Sequence, residues 1–537
     1  MRAIFSHSTL AGFAARVAGF AATLVAGAAF AAAPGITGDQ VSPATFNLVA
    51  AEGNISQPDG ASIYSWGYGC NGTTGFAPAT ITGTCPTGQM QLPGPTLIVT
   101  EGQTVTVNLT NRLPAAVGNT SILFPGFDVT ATGGAPGLLT AEATAAGGTV
   151  SYSFPTTGKA GTHSYFSGTQ GDLQVEMGLY GALIVLPSSI PTNCGTSSTQ
   201  TPVYKAAYVA THGNPTVPPD FRLAAAAFNH PGACYDREYL FQFSEIDPRI
   251  HAAALAQVQA DAAKPAAQRC AQTAGCLVID TEPYHAVYFL INGRSAPDIG
   301  DPNYSPQYPL QPYNGNPHMH PGELVLARII GQGRLQHPFH EHGNHLRVLA
   351  RDGNMLVNAK GNLAGPLLFT TTTTPGQTID ALFQWTAKGL NWDVYAHTVS
   401  GTGSATCTPD ANGYHNVPAD NHFYEWCADH TKALESKPFG TVAAGGPVTL
   451  PDPNILANGP WYSGSPYFGP DATGRAVGPT PIPPFGTIAN DPGSEAGYAF
   501  MWHSHNEREI TTNNIFPGGM LMMMLVDPWV FLINEAN

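Results

Sequence analysis

The chain has 537 residues, of which 43% are hydrophobic and only 11% charged, and its formal net charge is −15. That length exceeds one ordinary core, so two or three domains are expected. The acidity argues against nucleic acid or an anionic membrane surface as a partner.

The chain opens with "MRAIFSHSTLAGFAARVAGFAATLVAGAAFAAAPG". Residues 1–31 read as a secretory signal: two arginines, a soft apolar stretch, then small residues at Ala29 and Ala31. Its removal takes away Arg2 and Arg16 and no acid, moving the formal charge from −15 to −17. No later segment is long and apolar enough to span a bilayer. The expected location is secreted or periplasmic. Eight cysteines, an even count in an exported chain, suggest disulfides. Pairing neighbours (Cys70 with Cys85, Cys194 with Cys234, Cys270 with Cys276, Cys407 with Cys427) closes four local loops, although spacing alone leaves the connectivity open.

Residues 37–195 alternate short β-prone runs with turns, as in "PTLIVTEGQTVTVNLTNRL", "GTVSYSFPTT", "GTHSYFSGT" and "GLYGALIVLP". Residues 200–537 carry a second set, including "REYLFQFSEIDP", "HAVYFLINGR", "ELVLARIIGQG", "TIDALFQW" and "GYAFMWHSH". The 60 glycines and 47 prolines supply the turns. The fold class is therefore all-β, a sandwich or barrel in each part. Two insertions interrupt the second part: an alanine-rich helix within about 250–275, and a loop-rich excursion at about 402–496.

The chemistry concentrates in "LQHPFHEHGNHLRV" and "WHSHNERE". Side chains two apart on a strand share a face, so His340 pairs with His342, and His503 with His505. If the two strands are neighbours, four imidazoles converge, and such a nitrogen set suits copper or zinc. The bland alternative is ordinary hydrogen bonding, which two embedded pairs make less economical than metal binding. Glu341, Glu507 and Glu509 lie close by, as acid/base groups or as partners that orient a ligand ring.

These motifs, with "FLINGR", "TTPGQTIDALFQW" and "TNN…PGGM", resemble the multicopper oxidases, and the resemblance extends over most of the mature chain. It implies two cupredoxin-like Greek-key barrels and copper as the cofactor. It also implies losses. The family has four His-x-His motifs; here "LFPG" puts Leu123 and Pro125 at the first pair of ligand positions, and "YFSG" puts Phe166 and Gly168 at the second. His340, His342, His503 and His505 are the surviving half. By the same resemblance His337 is the first histidine of the blue copper site, its cysteine is replaced by Ser504, and its second histidine by Glu509. A hydroxyl cannot replace the thiolate that tunes such a centre. Met520 falls at a weak axial position or in the core.

The expected metal ligands are thus His337, His340, His342, His503 and His505, with Glu509 as the candidate catalytic acid. The expected function is a copper-dependent oxidoreductase with a reduced copper site, distinct from an ordinary laccase. It would act on a small-molecule or metal-ion reductant, and homo-oligomerisation stays open. The alternatives are a copper-sequestering or carrier protein and a structural cupredoxin scaffold. His318 and His320, flanked by Pro317 and Pro321, read as a loop pair and a candidate peripheral copper site; His163 sits beside the lost second motif with strand alternation turning it away, and His397 reads as a capping or loop residue.

Overall fold

The computed structural model describes residues 33–38, 44–72, 75–77, 85–192, 194, 225–270, 275–320, 322–385, 409–411, 413, 464–467, 497–526 and 533, with backbone alone at 225, 464–467, 497 and 498. The leader, His397, Cys407, Cys427 and nearly all of the 402–496 excursion lie outside the described residues. The regular structure of the described chain is mostly strand.

Two five-stranded sheets form within residues 35–186. One places Tyr180–Leu186 between Gly161–Phe166 and Leu97–Thr100; the other places Thr104–Asn111 between Ala44–Ser56 and Thr149–Pro155. Alternation builds the core between them. Along Thr104–Asn111, Val105, Val107 and Leu109 are buried while the intervening polar residues are not. They pack with Phe46, Trp66, Tyr68, Tyr152 and Leu183.

Two further sheets, of seven and six strands, form within residues 237–526. The seven-stranded sheet has Arg237–Ile246 parallel to Leu324–Gly331, then Thr378–Gln384 and Leu346–Arg351 antiparallel. All ten residues of Arg237–Ile246 are buried, as expected of a central strand covered on both faces. The six-stranded sheet runs His318–Met319, Leu521–Val526, Gly497–Ser504, His337–Glu341, Thr370–Thr373, with Gly464–Tyr467 also pairing Gly497–Ser504. Phe241, Phe339, Phe383, Trp502 and Met522 fill the space between the sheets. Met520 is a buried member of this core.

The expected helix is present but shorter than its alanine-rich stretch. It spans Pro248–Ala262, opened by Asp247, whose side chain accepts from the Arg249 backbone, and by proline at the first turn. Pro265 disfavours helical backbone at Lys264, so only a single 3₁₀ turn, Ala266–Gln268, follows. Ile250, Ala254 and Val258 recur at helical spacing, and they bury in the core of the first sheet pair although the helix is an insertion between strands of the third.

Among the described residues three disulfides join Cys70 to Cys85, Cys194 to Cys234 and Cys270 to Cys276, all between neighbours in sequence. Among the described residues no helix is long and apolar enough to cross a membrane.

Candidate metal centre

Strands His337–Glu341 and Gly497–Ser504 are antiparallel neighbours, with His340 opposite His503 and Phe339 opposite Ser504. The alternation of strand side chains then divides the histidines. His340, His342, His503 and His505 share one face; His337, Phe339, Trp502 and Ser504 point to the other, toward the core.

On the outer face four rings meet. Centroids lie 4.9 Å apart for His340 and His342, 5.4 Å for His340 and His503, 4.7 Å for His340 and His505, and 5.1 Å for His342 and His503. Each of His340, His342 and His503 offers a ring nitrogen within 4.8 Å of the others, and all three are buried. His505 is half exposed, with Nδ1 3.3 Å from the Glu507 carboxylate.

The ring orientations suit an ion. His503 Nδ1 donates to the Ser504 carbonyl oxygen at 2.7 Å, so its Nε2 carries the lone pair. That Nε2 lies 3.3 Å from Nε2 of His342. Two nitrogens bound tetrahedrally to one ion at ordinary bond lengths are about 3.3 Å apart, so this pair already has the spacing of shared ligands. Thr370 Oγ1 holds Nδ1 of His340 at 2.6 Å, the kind of partner that fixes a ligand ring. Burial, and then the neighbouring imidazoles His342, His505 and His503, lower the pKa of His340 to about 4. Burial likewise lowers that of His503. Both shifts favour neutral rings at His340 and His503, the form in which imidazole binds a metal.

On the inner face His337 is occupied otherwise. Its Nδ1 lies 2.9 Å from Glu509 Oε2 and its Nε2 2.9 Å from Glu245 Oε2, all three groups buried. Burial by itself would lower its pKa; the hydrogen bonds to Glu245 and then Glu509 outweigh that and raise it to about 9. His337 is therefore an imidazolium clamped by two carboxylates, donating from both nitrogens. Ser504 Oγ donates to the same Glu509 oxygen, and Asn506 Nδ2 to the other at 2.9 Å. Glu245 Oε1 accepts from the backbone of Arg334 at 2.6 Å and Leu335 at 2.9 Å. Gly333 precedes them with φ of +67°, and a Cβ there would fall 2.6 Å from Glu245 Oε2. Only glycine permits that approach.

Glu245 is the residue that sequence reasoning passed over. The available signal was an acid inside the apolar strand "EYLFQFSEI", since a carboxylate in a buried run needs a partner. Glu341, between two histidines but on the opposite face, is fully buried, and desolvation raises its carboxyl well above the usual range. Arg508, near the carboxylates in sequence, donates to the Ala286 carbonyl oxygen instead.

Three further histidines among the described residues are engaged elsewhere. His318 lies in a short strand, not a loop, paired with Leu521–Val526. Nδ1 of buried His320 sits 3.1 Å from Arg237 Nη2 and 3.3 Å from Glu323, inside an Arg–Glu pair. His163 Nε2 meets the Lys159 carbonyl oxygen at 2.8 Å.

Residues 77–189 match the multicopper oxidase family. The match is confined to this part of the chain. A 102-residue stretch is 38% identical to laccase-24 of Oryza sativa subsp. japonica; it covers 18% of this chain and 16% of the laccase, so only a small part of that relative is matched. Similar solved structures include a blue copper oxidase from Nitrosomonas europaea (15% identity, 89% of this chain and 85% of that one, TM-score 0.42). The multicopper oxidase mgLAC is another (15% identity, 90% and 85%, TM-score 0.41). Copper is the metal that multicopper oxidases bind, and the all-nitrogen donor set of the outer face fits it. The inner face does not: where a blue site would need a thiolate and two imidazoles, this chain has a hydroxyl, a carboxylate and one imidazolium.

Proposed function

We propose that the chain is an exported copper-dependent oxidoreductase with a reduced copper complement, its metal held by His340, His342, His503 and His505. The convergence of four imidazoles on one face of two paired strands carries this reading. Copper bound there would supply one-electron redox chemistry. His340, His342 and His503 form the buried side of the site, and half-exposed His505 marks the side from which a small-molecule or metal-ion reductant approaches. Glu509 acts as a positioning residue: it holds Ser504, which sits between the two ligand histidines of its strand. Its contact with His337 takes both out of the ligand set. Without a blue centre to collect electrons, a reductant must meet the copper directly. Three disulfides support an oxidising compartment, in keeping with export.

Metal analysis and oxygen uptake test the proposal together. The purified protein is expected to retain copper without intense blue colour and to consume oxygen with phenolic or metal-ion reductants. His503→Ala should abolish both while leaving the circular dichroism spectrum unchanged. Unchanged copper in that variant would remove the ligand set. Retained copper with no turnover by the parent protein would leave a carrier.

A further inference from the structure

The outer face of the six-stranded sheet continues past the histidines. Leu521–Val526 lies antiparallel to Gly497–Ser504, with Leu521 opposite His503, Met522 opposite Trp502, Met523 opposite Met501 and Met524 opposite Phe500. Alternation therefore sorts the methionines. Met522 and Met524 point inward and belong to the core with Trp502 and Phe500. Met501 and Met523 point outward, on the face that carries His503. On the other side of this strand Glu341 stands opposite Trp502, so the next residue, His342, falls across from Met501. The His342 backbone N–H donates to the Met501 carbonyl oxygen there at 3.2 Å. His342, Met501 and Met523 thus form one row across three strands, beside the row of His340, His503 and Leu521.

Core filling accounts for the inward methionines but not for the outward pair. Met501 is only partly buried and Met523 is 37% exposed. Residues directly opposite in an antiparallel pair have Cβ atoms roughly 4.5–5.5 Å apart. Methionine is unbranched and turns freely about its bonds, so two thioethers hung at that spacing can close on one ion. Their chemistry decides which ion. Thioether sulfur is soft and uncharged and selects monovalent copper, whereas calcium, magnesium and manganese need oxygen ligands. Neither of the two rows contains a carboxylate. Exposed Met523 leaves the pair open to solvent, the side from which an ion enters.

We propose that Met501 and Met523 hold a soft monovalent metal ion, cuprous copper in chemical class, at a sulfur site beside the imidazole cluster and separate from it. The two sulfurs need no ion among the histidines, so this site goes beyond the copper reading and either can fail without the other.

Nuclear magnetic resonance of the full chain with labelled methionine methyl groups, titrated with silver(I) as a redox-inert probe of the monovalent state, tests the site. Met501→Leu and Met523→Leu, exchanges that nearly conserve volume, assign the two signals. Both signals are expected to shift together and to saturate at one equivalent of silver. In His503→Ala, where the imidazole site is broken, silver should still move both and zinc(II) neither. The double variant Met501→Leu/Met523→Leu, with the circular dichroism spectrum of the parent, should bind one equivalent of silver fewer in equilibrium dialysis. Silver that leaves either signal in place, or unchanged silver binding by the double variant, would overturn the site. So would a silver shift that vanishes in His503→Ala, or zinc that moves the signals of that variant as far as silver does, since the sulfurs would then be neither separate nor selective.

Discussion

The two faces of one strand pair use the same side chain in opposite ways. On the outer face, buried imidazoles crowd one another, and His340 stays neutral down to a pKa of about 4. On the inner face, three residues away in sequence, His337 sits between Glu245 and Glu509 and stays protonated up to about 9. Strand alternation sends the rings to different sides, and what faces the two ring nitrogens decides the rest. A histidine motif therefore announces a metal site only for the nitrogens that no carboxylate has claimed.

That contrast can be broken from either side. Glu245→Gln should have the largest effect on stability, because it strands a buried imidazolium: about 3–5 kcal/mol is expected for breaking such a pair. Urea unfolding measures the loss, and metal analysis of the same variant should find the outer-face copper unchanged. A parallel fall in copper would mean that the faces are not independent.

The parent protein should also lose stability as pH rises. His337 has a folded pKa raised from 6.5 to about 9. Its contribution is therefore fully present below 6.5 and declines as pH climbs through 9. Denaturant midpoints across that window should fall in the parent and fall less in Glu245→Gln. A flat parent profile would remove the imidazolium.

Thr370→Val takes the hydroxyl from His340 Nδ1. Loss of such an orienting partner should weaken copper binding by about 10–100-fold, read by competition with a chelator, with little change in unfolding. The smallest expected change is the most informative about the inner face. Ser504→Cys restores the thiol, yet both nitrogens of His337 are held by carboxylates and Glu509 stands at the other histidine position. The copper-loaded variant should stay free of intense blue colour, and a blue product would mean that the clamp gives way to metal.

Much of the outer face was legible in the sequence because it depends on local rules. A period of two places His340 with His342 and His503 with His505, and embedding in "HPFHEHG" and "WHSHNERE" marks them as a set. The disulfides at Cys70–Cys85, Cys194–Cys234 and Cys270–Cys276 join the neighbours that proximity in the chain suggested. The inner face was not legible, since Glu245 meets His337 from another sheet and only the packing of the two sheets brings them together. His337 therefore read as a ligand. The approach of Gly376 to the Phe166 ring escaped for the same reason, since the two are distant in sequence. The helix was legible together with its terminator, since Pro265 closes the alanine-rich run and the helix ends at Ala262.

That helix has a bearing on modularity. Pro248–Ala262 is inserted between strands of the later sheet pair, but Ile250, Ala254 and Val258 are seated in the interior of the earlier pair. Excising the later portion near residue 200 would leave those three side chains bare to solvent and the donor portion missing part of its filling. The two portions are thus bound into one cooperative piece, and shuffling either onto a new partner would have to carry this shared plug along with it.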